Sequence, residues 1–94
     1  MPMTRTDVKS RLSSMSGWEY DDDEIEKKFQ FGDFAGAMAF VNRVAEAAEH
    51  MDHHPDIKIS YNKVKLSLST HSEGGVTDKD FALAEQIDGI AGGA

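Results

Sequence analysis

Residues 33–68 read DFAGAMAFVNRVAEAAEHMDHHPDIKISYNKVKLSL, and the fold turns on how this stretch is divided. Asp33 carries a short acceptor side chain suited to capping a helix. Phe34, Met38, Val41, Ala45 and Ala48 follow it at three-and-four spacing, with Phe40 and Val44 widening the apolar stripe. Pro55 disfavours helical backbone at the residue before it, so the helix must stop near the histidines and His54 falls outside it. From Ile57 the period drops to two, with Ile57, Ile59 and Tyr61 alternating with polar residues. After Asn62-Lys63 the parity switches to Val64, Leu66 and Leu68, as a tight reversal between two strands requires. The stretch therefore predicts a long helix leading through a proline into a hairpin.

The flanks extend this reading. Thr6 to Met15 can form a short helix through Val8, Leu12 and Met15, broken at Ser16-Gly17. Trp18 and Tyr20 then alternate with polar residues up to the acidic turn DDDE. Beyond it Ile25, Phe29 and Phe31 share one parity, with Glu26, Lys28 and Gln30 on the other, which predicts a second hairpin with one wet face. On the C-terminal side HSEGG is a loop, and Thr77-x-x-Asp80 resembles a capping box. Phe81, Ala84 and Ile87 form a helix face ending at Gly89, before a frayed GIAGGA tail. Two hairpins with apolar faces need a common cover. The simplest solution is one α+β domain over residues 1–94, a four-stranded antiparallel sheet with three helices packed on one face. An edge strand or the open face is left to pair between subunits.

Composition narrows the chemistry. The 94 residues include no cysteine, which removes disulfides, thiolate metal sites and thiol nucleophiles, and leaves histidines, carboxylates and hydroxyls. The formal charge of -7, with no Lys/Arg cluster along the chain, argues against nucleic acid as a partner. No apolar run is long enough to span a bilayer and the start lacks a signal-like apolar segment, so the expected location is cytoplasmic. Small molecules or proteins are the expected partners.

All four histidines, His50, His53, His54 and His71, fall in one window. A metal reading would draw on His50-x-x-His53-His54 with His71. Catalytic zinc sites typically use His at i and i+4 of a continuous helix, and here that pair, His50 with His54, straddles the proline break. No metal or other cofactor is expected, and His50 reads as a solvated helix-end residue facing the dipole. His53, His54 and His71 form a different set. A reversal at Asn62-Lys63 sets residues near Ile57 opposite residues near Leu68, so His71 returns to the neighbourhood of Pro55 and three imidazoles share one mouth. Imidazole gives and takes protons near neutral pH, which suits acid-base catalysis without a covalent intermediate. Glu49, four residues before His53, either orients that ring or is simply an exposed helix residue. Asp80 either closes the capping box or serves the site. Trp18, Phe29, Phe31, Phe34, Phe40 and Phe81 read as core.

These residues resemble the pterin-4a-carbinolamine dehydratases. The family pattern has an acidic residue, three positions, His-His-Pro, an aromatic residue six beyond the proline, a histidine ten further on and an aspartate nine after that. Glu49, His53, His54, Pro55, Tyr61, His71 and Asp80 fill it without a gap, and FQFGDFAGAMAFVNRVAEAAEHMDHHP, YNKVKLSLSTH and TDKDFALA also look like family sequence, from about Gly17 onward. The resemblance implies the fold inferred above. It also implies dehydration of 4a-hydroxytetrahydrobiopterin to the quinonoid dihydropterin without metal or other cofactor, recycling the pterin of aromatic amino acid hydroxylases. By the same resemblance His53 and His71 carry the proton traffic, His54 binds and orients the pterin, Asp80 helps fix the site, and Asp52, Pro55 and Glu49 contribute to the pocket. Ile57 stands where animal members have tryptophan, and Lys79 where they have arginine, so the rim differs. A homodimer or homotetramer is implied as well. The competing reading is a non-catalytic oligomeric adaptor of the transcriptional-cofactor type, which would have no need of three converging imidazoles.

Overall fold

The computed structural model describes residues 2–93. Its elements run α1 (Arg5–Leu12), β1 (Glu19–Asp21), β2 (Glu24–Gln30), α2 (Phe34–Met51), β3 (Asp56–Ser60), β4 (Lys63–Leu68), a 3₁₀ turn at His71–Glu73, and α3 (Asp78–Gly93). The strands make one antiparallel sheet in the order β1-β2-β4-β3, with the late hairpin inserted so that β4 is central and β3 lies at an edge. The helices cover one face. Ile25, Val64, Leu66 and Leu68 from the sheet are buried with Ala37, Phe40, Val44 and Ala48 of α2 and Phe81, Leu83, Ala84 and Ile87 of α3. The α+β layers are those the periodicity predicts. Among the described residues no helix is long and apolar enough to cross a membrane.

Local chemistry sets most boundaries. Thr4 caps α1 by accepting from the Asp7 amide, and Asp33 caps α2 by accepting from the Gly36 amide at 2.8 Å. The first hairpin turns through Asp22 and Asp23, both at positive φ (50° and 64°), the conformation that matches a two-residue turn to the right-handed strand twist. The helix α1 is shorter than the predicted Thr6–Met15, because the Ser13 and Ser14 hydroxyls bond back to the Ser10 and Arg11 carbonyls and end it.

Four expectations are corrected. The apolar stripe of α2 is rolled: Ala37 is buried whereas Phe34 is 50% exposed and Ala45 lies outside, because Phe40 docks against Phe29 and Phe31 with both ring centroids at 4.9 Å. The second reversal falls at Tyr61-Asn62, one residue earlier than predicted, so Ile57 faces Leu66 and not Leu68. Asn62 fixes it there, since its side-chain amide donates to the Phe31 carbonyl and its own carbonyl accepts from the Phe31 amide, both at 2.8 Å. Tyr61 consequently leaves the strand, adopts φ 54° and stands exposed. The last helix continues through Gly89 and Gly92 to Gly93, as Ile90 and Ala91 pack on the core and override the glycines' weak helix propensity. Finally, the sheet assembles a Lys cluster that the chain order conceals, since Lys28, Lys65 and Lys58 are direct cross-strand neighbours on the open face.

Candidate active site

The site is built where α2 ends. Asp52 adopts the left-handed conformation (φ 51°, ψ 42°), its amide donating to the Glu49 carbonyl and the His53 amide to the Ala48 carbonyl at 3.0 Å. This is a Schellman closure with aspartate in place of the usual glycine. It reverses the chain within one residue and turns His53 inward, while Pro55 carries the backbone into β3.

Across from this corner β4 delivers Ser69 and Thr70. Thr70 bridges to Gly75, its amide donating to the Gly75 carbonyl at 2.9 Å, and this ties off the loop that carries His71. The loop tightens into a 3₁₀ turn and reverses at Gly74, whose φ of 79° suits a residue without Cβ. A pocket of about 290 Å³ opens between the two corners, lined by Asp52, His53, His54, Ser69, Thr70, His71, Ser72 and Lys79.

Asp80 lies behind the pocket, fully buried, with both oxygens occupied. Its Oδ1 meets His53 Nε2 at 2.5 Å, while Oδ2 accepts from the Thr70 hydroxyl and the Thr77 amide, each at 2.9 Å. The carboxylate that caps α3 therefore also contacts the His53 ring. A buried carboxylate needs such partners, and the described residues leave no buried side-chain polar atom unpaired. His53 keeps 11% of its side chain exposed, toward the pocket.

The other predicted residues divide. His54 lines the pocket and pairs through Nε2 with Glu49 Oε2 at 2.5 Å, both side chains exposed. Of the two readings of Glu49, the exposed helix residue is the one found, though with His54 as its partner: helix spacing would have paired it with His53, but the Asp52 turn moves His53 off that face and brings His54 back over it. His71 lines the pocket, exposed, and makes no side-chain hydrogen bond among the described residues. Asp52 lines it too. Pro55 shapes the turn and is not among the lining residues, and His50 lies outside on the exposed side of α2. Among the described residues no three His, Cys, Asp or Glu side chains converge as a metal site would require. Reading the chain missed Ser69, Thr70 and Ser72 as lining residues. Only the alternation of β4, continued to residue 70, could have pointed to Thr70.

The chain is similar to known proteins over nearly its whole length. The profile of the family described as "Pterin 4 alpha carbinolamine dehydratase" matches residues 1–90. Two relatives carry the name "Putative pterin-4-alpha-carbinolamine dehydratase". The one from Sulfolobus acidocaldarius is 46% identical over 90 residues, covering 96% of this chain and 99% of its own. The one from Acidobacterium capsulatum is 50% identical over 88 residues, covering 94% and 96%. A crystal structure titled as a transcriptional coactivator/pterin dehydratase from Brucella melitensis superposes with a TM-score of 0.92 at 36% identity, over 97% of this chain and 99% of that one. A pterin dehydratase-like protein described as a RuBisCO assembly factor in the alpha-carboxysome gives 0.70 at 26% identity, over 83% and 93%. The sheet order, the histidine corner and this near full-length likeness together lead to one conclusion: the chain belongs to the pterin-4α-carbinolamine dehydratase family.

Proposed function

We propose that the protein is a working dehydratase that removes water from 4a-hydroxytetrahydrobiopterin, with no metal or other cofactor, to give the quinonoid dihydropterin, a step in recycling the pterin cofactor of an aromatic amino acid hydroxylase. The observation that carries this reading is the convergence of His53, His54 and His71 on one pocket, with His53 held by a fully buried carboxylate. In the reaction the C4a–O bond breaks and the hydroxyl leaves as water after taking a proton. The N5–H bond gives up its proton, and its electron pair forms the C4a=N5 double bond. One proton is supplied and one removed, so one acid and one base suffice.

With Asp80 accepting the Nε2 proton of His53, Nδ1 is the ring nitrogen left to take a proton, and the buried carboxylate stabilises the imidazolium that forms when N5 is deprotonated. His53 is on this account the base. His71, which makes no side-chain hydrogen bond among the described residues, is the acid at the 4a-hydroxyl. His54, steadied by Glu49, orients the pterin, and Asp52 and Pro55 shape the rim. The direct test follows the disappearance of synthetic 4a-hydroxytetrahydropterin in a stopped-flow instrument, against the spontaneous loss of water. A rate indistinguishable from that background would sink the proposal. The second reading, an adaptor that keeps the fold as a binding module, draws on the assembly-factor relative, and it is the reading such a result would favour.

A further inference from the structure

The open face of the sheet is polarised, and the division follows the register. One row across the strands is Glu19, Glu26, Ser67 and Asp56, and beyond it Asp21 pairs with Glu24. The next row is Lys28, Lys65 and Lys58, followed by Gln30, Lys63 and Ser60. Three ammonium groups stand directly opposite one another and a fourth lies one row away, in a chain of net charge -7. Like charges facing across strands are destabilising, so the arrangement works against folding. Only Lys65 has an offsetting ion pair, to Glu26 at 3.2 Å, whereas Lys28, Lys58 and Lys63 have no carboxylate within ion-pair reach among the described residues. The four lysines line a hollow of about 430 Å³, larger than the histidine pocket, with Gln30 and Ser60 adding neutral hydrogen-bonding groups and Phe29 and Val64 completing the lining.

We propose that this hollow binds a compact, multiply charged oxyanion, the polyphosphate chain of a small phosphorylated molecule. The same register limits the ligand's size. A nucleic acid strand or a long acidic peptide crossing the face would run from the lysine rows onto Glu19, Glu26, Asp56, Asp21 and Glu24 and be repelled, whereas a short phosphate chain fits within the two basic rows. Glu24 feels that acidic ground already, since burial and then its neighbours Glu26 and Asp56 hold its carboxyl above the ordinary range. The four lysines would act as point charges on mobile stems, which suits a flexible phosphate chain more than a planar carboxylate.

The test is calorimetric titration of the full chain at low salt with inorganic tripolyphosphate, and in parallel with a nucleoside triphosphate. Saturable binding that weakens with added salt is expected. The triple variant Lys28→Gln, Lys58→Gln, Lys63→Gln should bind roughly tenfold or more weakly, since each exposed charge contact contributes modestly. Its dehydratase rate should be unchanged. The control Lys79→Gln, at the histidine pocket, should leave the affinity unaltered. Equal affinity for the two ligands assigns the site to the phosphate chain alone, and tighter nucleotide binding adds an organic group to the same site. The proposal is overturned if neither ligand binds, if the triple variant binds as well as the parent, or if a single-stranded oligonucleotide binds more tightly than either.

Discussion

At His53 the nitrogen left for chemistry is decided by the one Asp80 occupies, so the pair should behave kinetically as a unit. Replacing His53 or His71 by alanine is expected to lower turnover by about 10² to 10⁴, the usual contribution of a general acid or base. The double replacement should cost less than the product of the singles, since residues that act together are not additive. His54→Ala removes a binding contact made in both ground and transition states, and should chiefly raise the Michaelis constant. A correctly folded His53→Ala, His71→Ala protein with near-normal turnover would remove both from the mechanism. Asp80 carries a structural burden as well. Asp80→Ala strands the Thr77 amide and leaves the Thr70 hydroxyl only its bond with the Thr77 hydroxyl, and should cost about 1–3 kcal/mol in urea denaturation in addition to its effect on turnover. Exhaustive chelation is expected to leave the rate unchanged, and loss of activity restored by zinc would overturn the metal-free mechanism.

The elements α2 and β2 each carry a local strain that a substitution can relieve. Asp52 closes α2 in the left-handed region, where residues other than glycine sit at a cost. Asp52→Gly should stabilise the fold by up to about 1 kcal/mol, and a simultaneous fall in turnover would place its carboxylate in the work of the pocket. On β2, Glu24 is more readily protonated in the folded chain than in the unfolded one, through burial and then Glu26 and Asp56. Whatever stability this carboxyl lends is present below its unfolded value and is lost as pH rises through the raised folded one. Its ionised form therefore weighs against the fold at neutral pH. Glu24→Gln should raise the melting temperature at pH 7, with the gain vanishing below about pH 4. A gain that persists in acid would point to a cause other than charge.

These elements also show how far the chain could be read. Helix and strand periods placed α2, β3 and β4 directly, because burial on one side imposes them. The roll of α2 could not be read, since Phe34 and Phe40 are equally apolar and only Phe29 on β2 and Phe31 just past its end decide which one docks. The turn at Tyr61-Asn62 was shifted by a hydrogen bond to Phe31, just past the end of β2 and 31 residues away, a tertiary contact with no local signature. At the site, clustering of His53, His54 and His71 was legible. The exchange by which Glu49 meets His54 was not, because it depends on one left-handed residue.

For the molecule as a whole, the sheet is unfinished at β3. All five residues of this edge strand are exposed, and on the helix side Ile57 and Ile59 remain 38% and 37% accessible beside Phe34 at 50%. Natural edge strands are shielded by charge, proline or a cover, and here Asp56 and Lys58 carry charge on the open face only, while Pro55 guards the first residue. A second copy can complete the sheet by pairing β3 antiparallel to itself across a twofold axis, burying both isoleucines. Centred on Ile57, that pairing sets Asp56 against Lys58 of the second copy; centred on Lys58, it would oppose two lysines. The first register is the one expected. Light scattering at micromolar concentration should accordingly give a dimer or a multiple of it, not the 10.4 kDa of one chain. Ile57→Lys should yield a folded monomer and Asp56→Lys a weakened dimer, with circular dichroism unchanged in both. A parent protein that scatters as a monomer would leave β3 as an open edge and remove the second copy from the account.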